Sequence, residues 1–191
     1  MEAKEKINVI ELLEKTGGML KGHFELSSGL HSNQYFQCAK LLQFTDIAEK
    51  VGTELAKLFT EEVDVVVGPA LGGMIIAHEV ARAFSKRSIF VERKDGIMCL
   101  RRGFEILNGE RAIIIEDVIT TAKSALEAAK VIEGLGAEIV GYGCIVDRSQ
   151  GKTGLNIKSL IQMDPEAYPP ENCPMCIKGS FPVKPGSRTK A

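Results

Sequence analysis

The stretch that most constrains the fold is Arg111-Ala-Ile-Ile-Ile-Glu-Asp-Val-Ile-Thr-Thr-Ala-Lys-Ser124. Its apolar run, residues 112–115, is short, β-branched and without alternation, the pattern of a strand covered on both faces. Two adjacent acids, Glu116 and Asp117, come next. Carboxylates are costly to bury, so the strand is expected to end there, with both acids at the mouth of a sheet and open to a ligand. Residues 120–124 form a hydroxyl-rich turn, and a helix is expected over residues 124–134. Backbone N–H groups at a helix N-terminus suit a phosphate. A phosphate binder beside paired carboxylates suits a phosphorylated sugar, the acids taking hydroxyls or a metal. Read as structure alone, the turn is a helix cap in which Thr121 or Ser124 satisfies orphan N–H groups. A cap, however, gives no use to two acids placed before it.

The same unit recurs. Val63-Asp-Val-Val-Val-Gly68 reads as a second buried strand, followed by Pro69-Ala-Leu-Gly-Gly73 and a helix over 74–84. Residues 88–92 read as a strand, and 137–147 as another that ends in Asp147-Arg148. Strand, turn and helix in repetition describe an α/β fold, a doubly wound, mainly parallel sheet flanked by helices. Ligands of such sheets bind beyond the carboxyl ends of the strands, where residues 68–73, 116–124 and Arg148 all fall. Upstream, a helical stripe over 5–16 stops at Gly17-Gly18. Alternation around Phe24 and Leu26, a Ser-Ser-Gly turn and Tyr35-Phe36 predict a small hairpin. Thr45 is expected to cap a helix running to about residue 59. Residues 93–110 are weakly periodic and charged, which suits a lid closing over reactants; the plain alternative is an exposed hairpin.

Composition narrows the class. The 191 residues are read as a single domain, with about 1–44 an N-terminal helix and hairpin, about 60–163 the core and about 164–191 a Pro-rich tail. Six of the seven prolines lie in that tail, which is expected to be irregular and either pinned to the surface or disordered. A net charge of −1 argues against nucleic acid or a membrane surface as partner. No run approaches the roughly 20 apolar residues of a membrane span, and the charged start is no secretory signal. Five scattered cysteines read as reduced thiols of a cytoplasmic protein. No Gly-x4-Gly-Lys-Ser/Thr loop is present, and Gly141-Tyr-Gly143 lies inside a predicted strand without a third glycine. Cys173-Pro-Met-Cys176 has zinc-like spacing but supplies only two of four ligands, so no structural metal is expected from it. The three histidines are far apart and read as satisfied or surface residues.

Ile113-Ile-Ile-Glu-Asp-Val-Ile-Thr-Thr-Ala-Lys-Ser124 resembles the ribose-phosphate fingerprint of the type I phosphoribosyltransferases. Four more stretches resemble the orotate phosphoribosyltransferases among them: Gly22-His-Phe-Glu-Leu-Ser-Ser-Gly29, Gly68-Pro-Ala-Leu-Gly-Gly73, Glu92-Arg-Lys94 and Val146-Asp-Arg148. The resemblance covers about residues 10–150, and Lys184-Pro-Gly-Ser-Arg188 is similar to the tail of one bacterial-type subgroup. It implies the type I phosphoribosyltransferase fold, with a small N-terminal hood element. It also implies transfer of a ribosyl phosphate group from 5-phospho-α-D-ribose 1-diphosphate (PRPP) to orotate in pyrimidine biosynthesis. The products are orotidine 5′-phosphate and pyrophosphate.

The resemblance assigns roles by position. Glu116 and Asp117 hold the ribose hydroxyls. The segment Val118, Ile119, Thr120, Thr121, Ala122, Lys123 and Ser124 binds PRPP, its hydroxyl turn taking the 5-phosphate. Ala70, Leu71, Gly72 and Gly73 meet the pyrophosphate, and Arg93 and Lys94 contact phosphates. Tyr35, Phe36, Thr120 and Arg148 contact orotate, whose carboxylate a guanidinium can grip at two points. Mg²⁺ is implied, held mainly through PRPP rather than by protein ligands, and a homodimer is implied. Ala122 stands where relatives carry glycine. A positive φ there costs about 1 kcal/mol or more; the other possibility is a helix-compatible turn. The mobile loop of many relatives has a catalytic lysine, absent here, which leaves Arg101 or Arg102 to stabilise charge, reaching into a neighbouring subunit's site. Two rival readings are a transferase for another base and a PRPP-sensing regulator that binds nucleic acid; the second needs a basic face that is not visible.

Overall fold

The computed structural model describes residues 7–26, 28–163 and 166–185. Among these, two sheets form. The larger is six-stranded: β3 (Val65–Pro69), β4 (Arg87–Lys94), β5 (Ile97–Leu100), β6 (Arg111–Ile119), β7 (Glu138–Asp147) and β8 (Ile157–Gln162), in the order β5-β4-β3-β6-β7-β8. Only β5 runs antiparallel to its neighbour. Strand order reverses between β3 and β6, because β4 leaves β3 on one side and β6 lies on the other. That boundary is the switch point at which such sheets open a crevice.

The missing alternation in 112–115 has a direct cause. Ile113 and Ile115 pack with Val66, Ile145 and the helices α1 (Val9–Lys15), α2 (Ala39–Leu42), α3 (Thr45–Ala56) and α4 (Gly72–Phe84) on one face. Ala112 and Ile114 pack with Val65, Val67 and α5 (Lys123–Glu133) on the other. All four are fully buried, and each isoleucine contributes about 1.5–3 kcal/mol of transfer free energy. Gly141 and Gly143 serve packing: a Cβ at either would come within 3 Å of the Phe59 ring. No described helix is long and apolar enough to cross a membrane.

Several boundaries differ from the sequence expectations. The first strand motif does not stop at its acids, since β6 stays paired with β7 through Glu116↔Cys144 to Ile119↔Asp147. Phe44, not Thr45, is the N-cap of α3, without a side-chain hydrogen bond, and the helix ends at Ala56. Strand β8 is absent from the sequence expectations, because none of its residues is buried and no strong apolar run marks it. The segment 93–110 is partly regular, with β4 continuing to Lys94 and turning into β5.

The smaller sheet is the hood: β1 (Met19–Glu25), β2 (His31–Phe36) and β9 (Ala167–Tyr168), in the order β1-β2-β9. The predicted hairpin is therefore present, and the Pro-rich tail adds its third strand. A short 3-10 turn (Pro170–Asn172) and α6 (Pro174–Ile177) follow. The ends of the N-terminal stripe and of the tail, 5–6 and 186–191, lie outside the described residues.

Candidate active site

The C-terminal edge of the parallel strands brings the predicted segments together. From β3 the chain turns at Ala70 and Leu71, joined by a cis peptide bond, into α4. Ala70 N–H donates to the Val91 carbonyl at 2.8 Å, which ties the turn to β4 beside Arg93 and Lys94. Across the switch point stands β6 with its acids. A Cβ at Gly72 would lie 2.6 Å from Asp117 Oδ1, and one at Gly73 would lie 3.0 Å from Glu116 Oε2 and 2.6 Å from the Ile115 carbonyl. The two glycines let the α4 N-terminus approach the carboxylates closely.

Glu116 is buried and Asp117 half-buried, rather than both open at a strand end, which corrects the expectation of exposed carboxylates. Glu116 is only 9 % exposed. Burial, reinforced by the charge of Asp117, pushes its carboxyl up to about 8. Burial also raises Asp117, opposed by hydrogen bonds to its backbone neighbours; Val118 N–H donates to Oδ1 at 2.9 Å. Register explains the burial: β7 stays paired with the strand here, the start of α4 closes on the acids from the other side, and Cys38 Sγ approaches the Asp117 carbonyl at 4.0 Å. Burial thus favours the protonated form of Glu116, and a cationic or hydrogen-bonding ligand would favour the carboxylate.

Beyond β6 the chain forms a cavity of about 80 Å³ lined by Glu116 and residues 118–125. Ala122 is its pivot, with φ 56° and ψ 13°. The left-handed alternative is therefore the one adopted. As N-cap of α5, Ala122 offers no side-chain oxygen, and Lys123 N–H finds Thr121 Oγ1 only at 3.4 Å. Helix N–H groups face a polar hollow of anion size. A wider groove of about 600 Å³ between β5 and α5 contains Arg93 and Glu127 but neither Glu116, Asp117 nor the hydroxyl turn.

On the hood side, Arg148 N–H donates to the Ile119 carbonyl at 2.8 Å, placing Arg148 beside Thr120. Its guanidinium carbon lies 5.7 Å from the Phe36 ring centroid, a cation–π distance, so Phe36 and Arg148 converge as expected. Tyr35 stacks toward Phe24 at 5.9 Å. The loop cations are held elsewhere: Arg101 Nη1 lies 3.3 Å and Arg102 Nε 2.8 Å from Glu92 Oε1. Arg93 pairs with Glu127 on α5. In this arrangement neither Arg101 nor Arg102 is paired with the β6 acids.

The sequence reading missed one constellation. His23 and His31 are neither isolated nor at the surface; both are buried and face Cys173 and Cys176, and only His78 is exposed. The hairpin register brings them together: His31 lies opposite Glu25, two residues beyond His23, so both rings share a face.

Residues 39–160 match the family described as phosphoribosyl transferase domain. An orotate phosphoribosyltransferase of Desulforamulus reducens is 48% identical over 183 residues, 94% of this chain and 96% of the relative. One from Thermotoga petrophila is 49% identical over 181 residues, 93% and 97% of the respective chains. The crystal structure of orotate phosphoribosyltransferase from Aeropyrum pernix superposes with a TM-score of 0.66 at 25% identity, over 82% of this chain and 94% of that one. With a family match across most of the sheet and near-half identity over almost the full length, this chain belongs to the phosphoribosyltransferase family, among the orotate phosphoribosyltransferases.

Proposed function

We propose that the crevice at the switch point transfers the ribosyl phosphate of PRPP to orotate, giving orotidine 5′-phosphate and pyrophosphate. The observation that carries this reading is the juxtaposition of Asp117 and Glu116 with Gly72 and Gly73 on one side and an anion-sized cavity on the other. A sugar with a phosphate at one end and a diphosphate at the other spans such an arrangement. The 5-phosphate enters the cavity on the N–H groups of α5, and the ribose hydroxyls donate to Glu116 and Asp117. The pyrophosphate lies against residues 70–73, with Arg93 and Lys94 at the same sheet edge.

Departure of pyrophosphate leaves a cation-like sugar, so these residues act by holding the sugar, meeting charge on the leaving group and excluding water. Glu116 and Asp117 bind; they have no proton to move in this step. Orotate fits between the hood and residues 120 and 148, with Phe36 as an apolar wall and Arg148 for its carboxylate. Mg²⁺ suits the donor set, since buried carboxylate oxygens are hard ligands, yet two acids form no closed cage. Magnesium held mainly through PRPP oxygens would neutralise the growing charge of the leaving group. The same reading includes a homodimer, a cytoplasmic location consistent with five free thiols, and one domain spanning core, hood and tail.

The test is absorbance-monitored loss of orotate with PRPP and Mg²⁺, beside uracil, adenine and hypoxanthine. Selective consumption of orotate is expected. Turnover of a purine instead would assign the chain to another base, and PRPP binding without turnover of any base would favour the regulatory reading.

A further inference from the structure

Residues 166–185 bring little apolar surface to the molecule. Ile177, Phe181 and Val183 are 77, 88 and 61 % exposed, yet Cys173 is fully buried. The tail is held by the two-residue strand β9, by Val183, which exchanges backbone hydrogen bonds of 2.8 and 2.9 Å with His23 and Glu25, and by a Lys184–Glu25 ion pair. An exposed ion pair contributes little. Something stronger is needed to seat a Pro-rich segment on a hairpin.

Four side chains meet at that contact: His23 of β1, His31 at the start of β2, and Cys173 and Cys176 at the first turn of α6. All four donor atoms lie within 4.8 Å of one another. His23 Nε2 is 3.0 Å from His31 Nδ1, 3.5 Å from Cys173 Sγ and 3.8 Å from Cys176 Sγ, and Cys176 Sγ is 3.3 Å from His31 Nδ1. With metal–sulfur bonds of about 2.3 Å and metal–nitrogen bonds of about 2.0–2.1 Å, a tetrahedral zinc site has edges of about 3.3–3.8 Å. Three of these four edges fall in that range, the His23–His31 edge is shorter at 3.0 Å, and no pair exceeds 4.8 Å, so the cluster is close to the size of such a site. Pairing between β1 and β2 shifts register between Lys21 and Phe24, the bulge that contains His23. The other ring nitrogen of His23, Nδ1, lies 3.1 Å from Ser180 Oγ, the kind of outer partner that orients a ligating imidazole.

We propose that His23, His31, Cys173 and Cys176 form a structural zinc site that clamps the C-terminal segment onto the hood. Two thiolates and two imidazoles select zinc over magnesium, and four protein ligands leave no open position for chemistry. A metal-free cluster would leave two weak thiol donors and two facing imidazoles to satisfy one another in a buried space. The clamp lies at the start of β2, whose other end carries Tyr35 and Phe36. It thereby ties the tail to the strand that reaches the Arg148 side of the crevice. The proposal stands independently of the substrate assigned above.

The test uses the full chain without a polyhistidine tag, stripped with a chelator and then titrated with zinc or cobalt. One zinc per chain, a higher melting temperature on loading, and the thiolate charge-transfer and ligand-field absorption of a tetrahedral S2N2 cobalt site are expected. Thiol titration should find two fewer reactive cysteines in the zinc form. Cys176→Ser and His31→Ala should each weaken zinc binding at least about ten-fold; should either fail to fold, the parent titrations decide alone. Equal melting temperatures and thiol counts with and without zinc, together with cobalt lacking thiolate bands, would overturn the site.

Discussion

Gly72 lies so close to Asp117 that a single added methyl would come within 2.6 Å of the Asp117 carboxylate oxygen. This contact spans the switch point of the sheet, and the Val118 N–H donates to that same oxygen at 2.9 Å. Gly72→Ala must therefore displace Asp117 while the buried strands stay intact. The expected outcome is a loss of PRPP affinity of about ten-fold or more, equivalent to about 1.4 kcal/mol, with unfolding by denaturant shifted much less. Calorimetric titration beside an unfolding curve measures both. Unaltered affinity would show that Asp117 does not hold the ribose.

Glu116 makes the site pH-sensitive. Its folded-state pKa of about 8 lies above the ordinary value of 4.5, so folding favours the protonated form. The stabilisation is complete below pH 4.5, shrinks as pH rises, and is gone above about 8. The ligand-free chain should thus lose stability across this window, and Glu116→Gln should flatten the slope. Binding of Mg²⁺ and PRPP, which needs the carboxylate, should release a proton near neutrality. Calorimetry in two buffers of different ionisation enthalpy detects it; equal heats in both would exclude the coupling.

Arg148 is proposed to grip a carboxylate while lying against Phe36. A lysine keeps the charge but cannot reproduce a planar two-point grip or the stack. Arg148→Lys should raise the KM for orotate about ten-fold or more and leave that for PRPP within about two-fold. Steady-state kinetics with each substrate varied separates the two effects.

The loop arginines form a single unit with Glu92 in this structure. If one of them leaves Glu92 to meet the leaving group, its removal affects turnover more than binding. Arg101→Ala or Arg102→Ala should lower kcat about 100-fold, the scale of losing one preorganised charge partner, with PRPP affinity nearly preserved. Full turnover in both variants would remove these residues from the reaction.

Much of the site was legible because it is local. An unalternating run at 112–115, two acids and a hydroxyl turn are contiguous, and local backbone preferences with burial on both faces are enough to order them as strand, turn and helix. The repeated unit at 63–84 made the parallel sheet readable in the same way. Burial of Glu116 was not legible, because it depends on how far β7 extends beside β6 and how closely the start of α4 approaches it. Nor was the pairing of Arg101 and Arg102 with Glu92, which arises only when β5 folds back on β4.

The amino-acid order alone determined the strand–turn–helix units, the hydroxyl turn and the acids beside it, since hydrophobic periodicity and capping act within a dozen residues. Tertiary structure decided which distant groups meet. His23 and Cys173 stand 150 positions apart, and no periodicity links them. Their meeting follows from a hairpin register and a tail strand, which are set by packing across the whole chain.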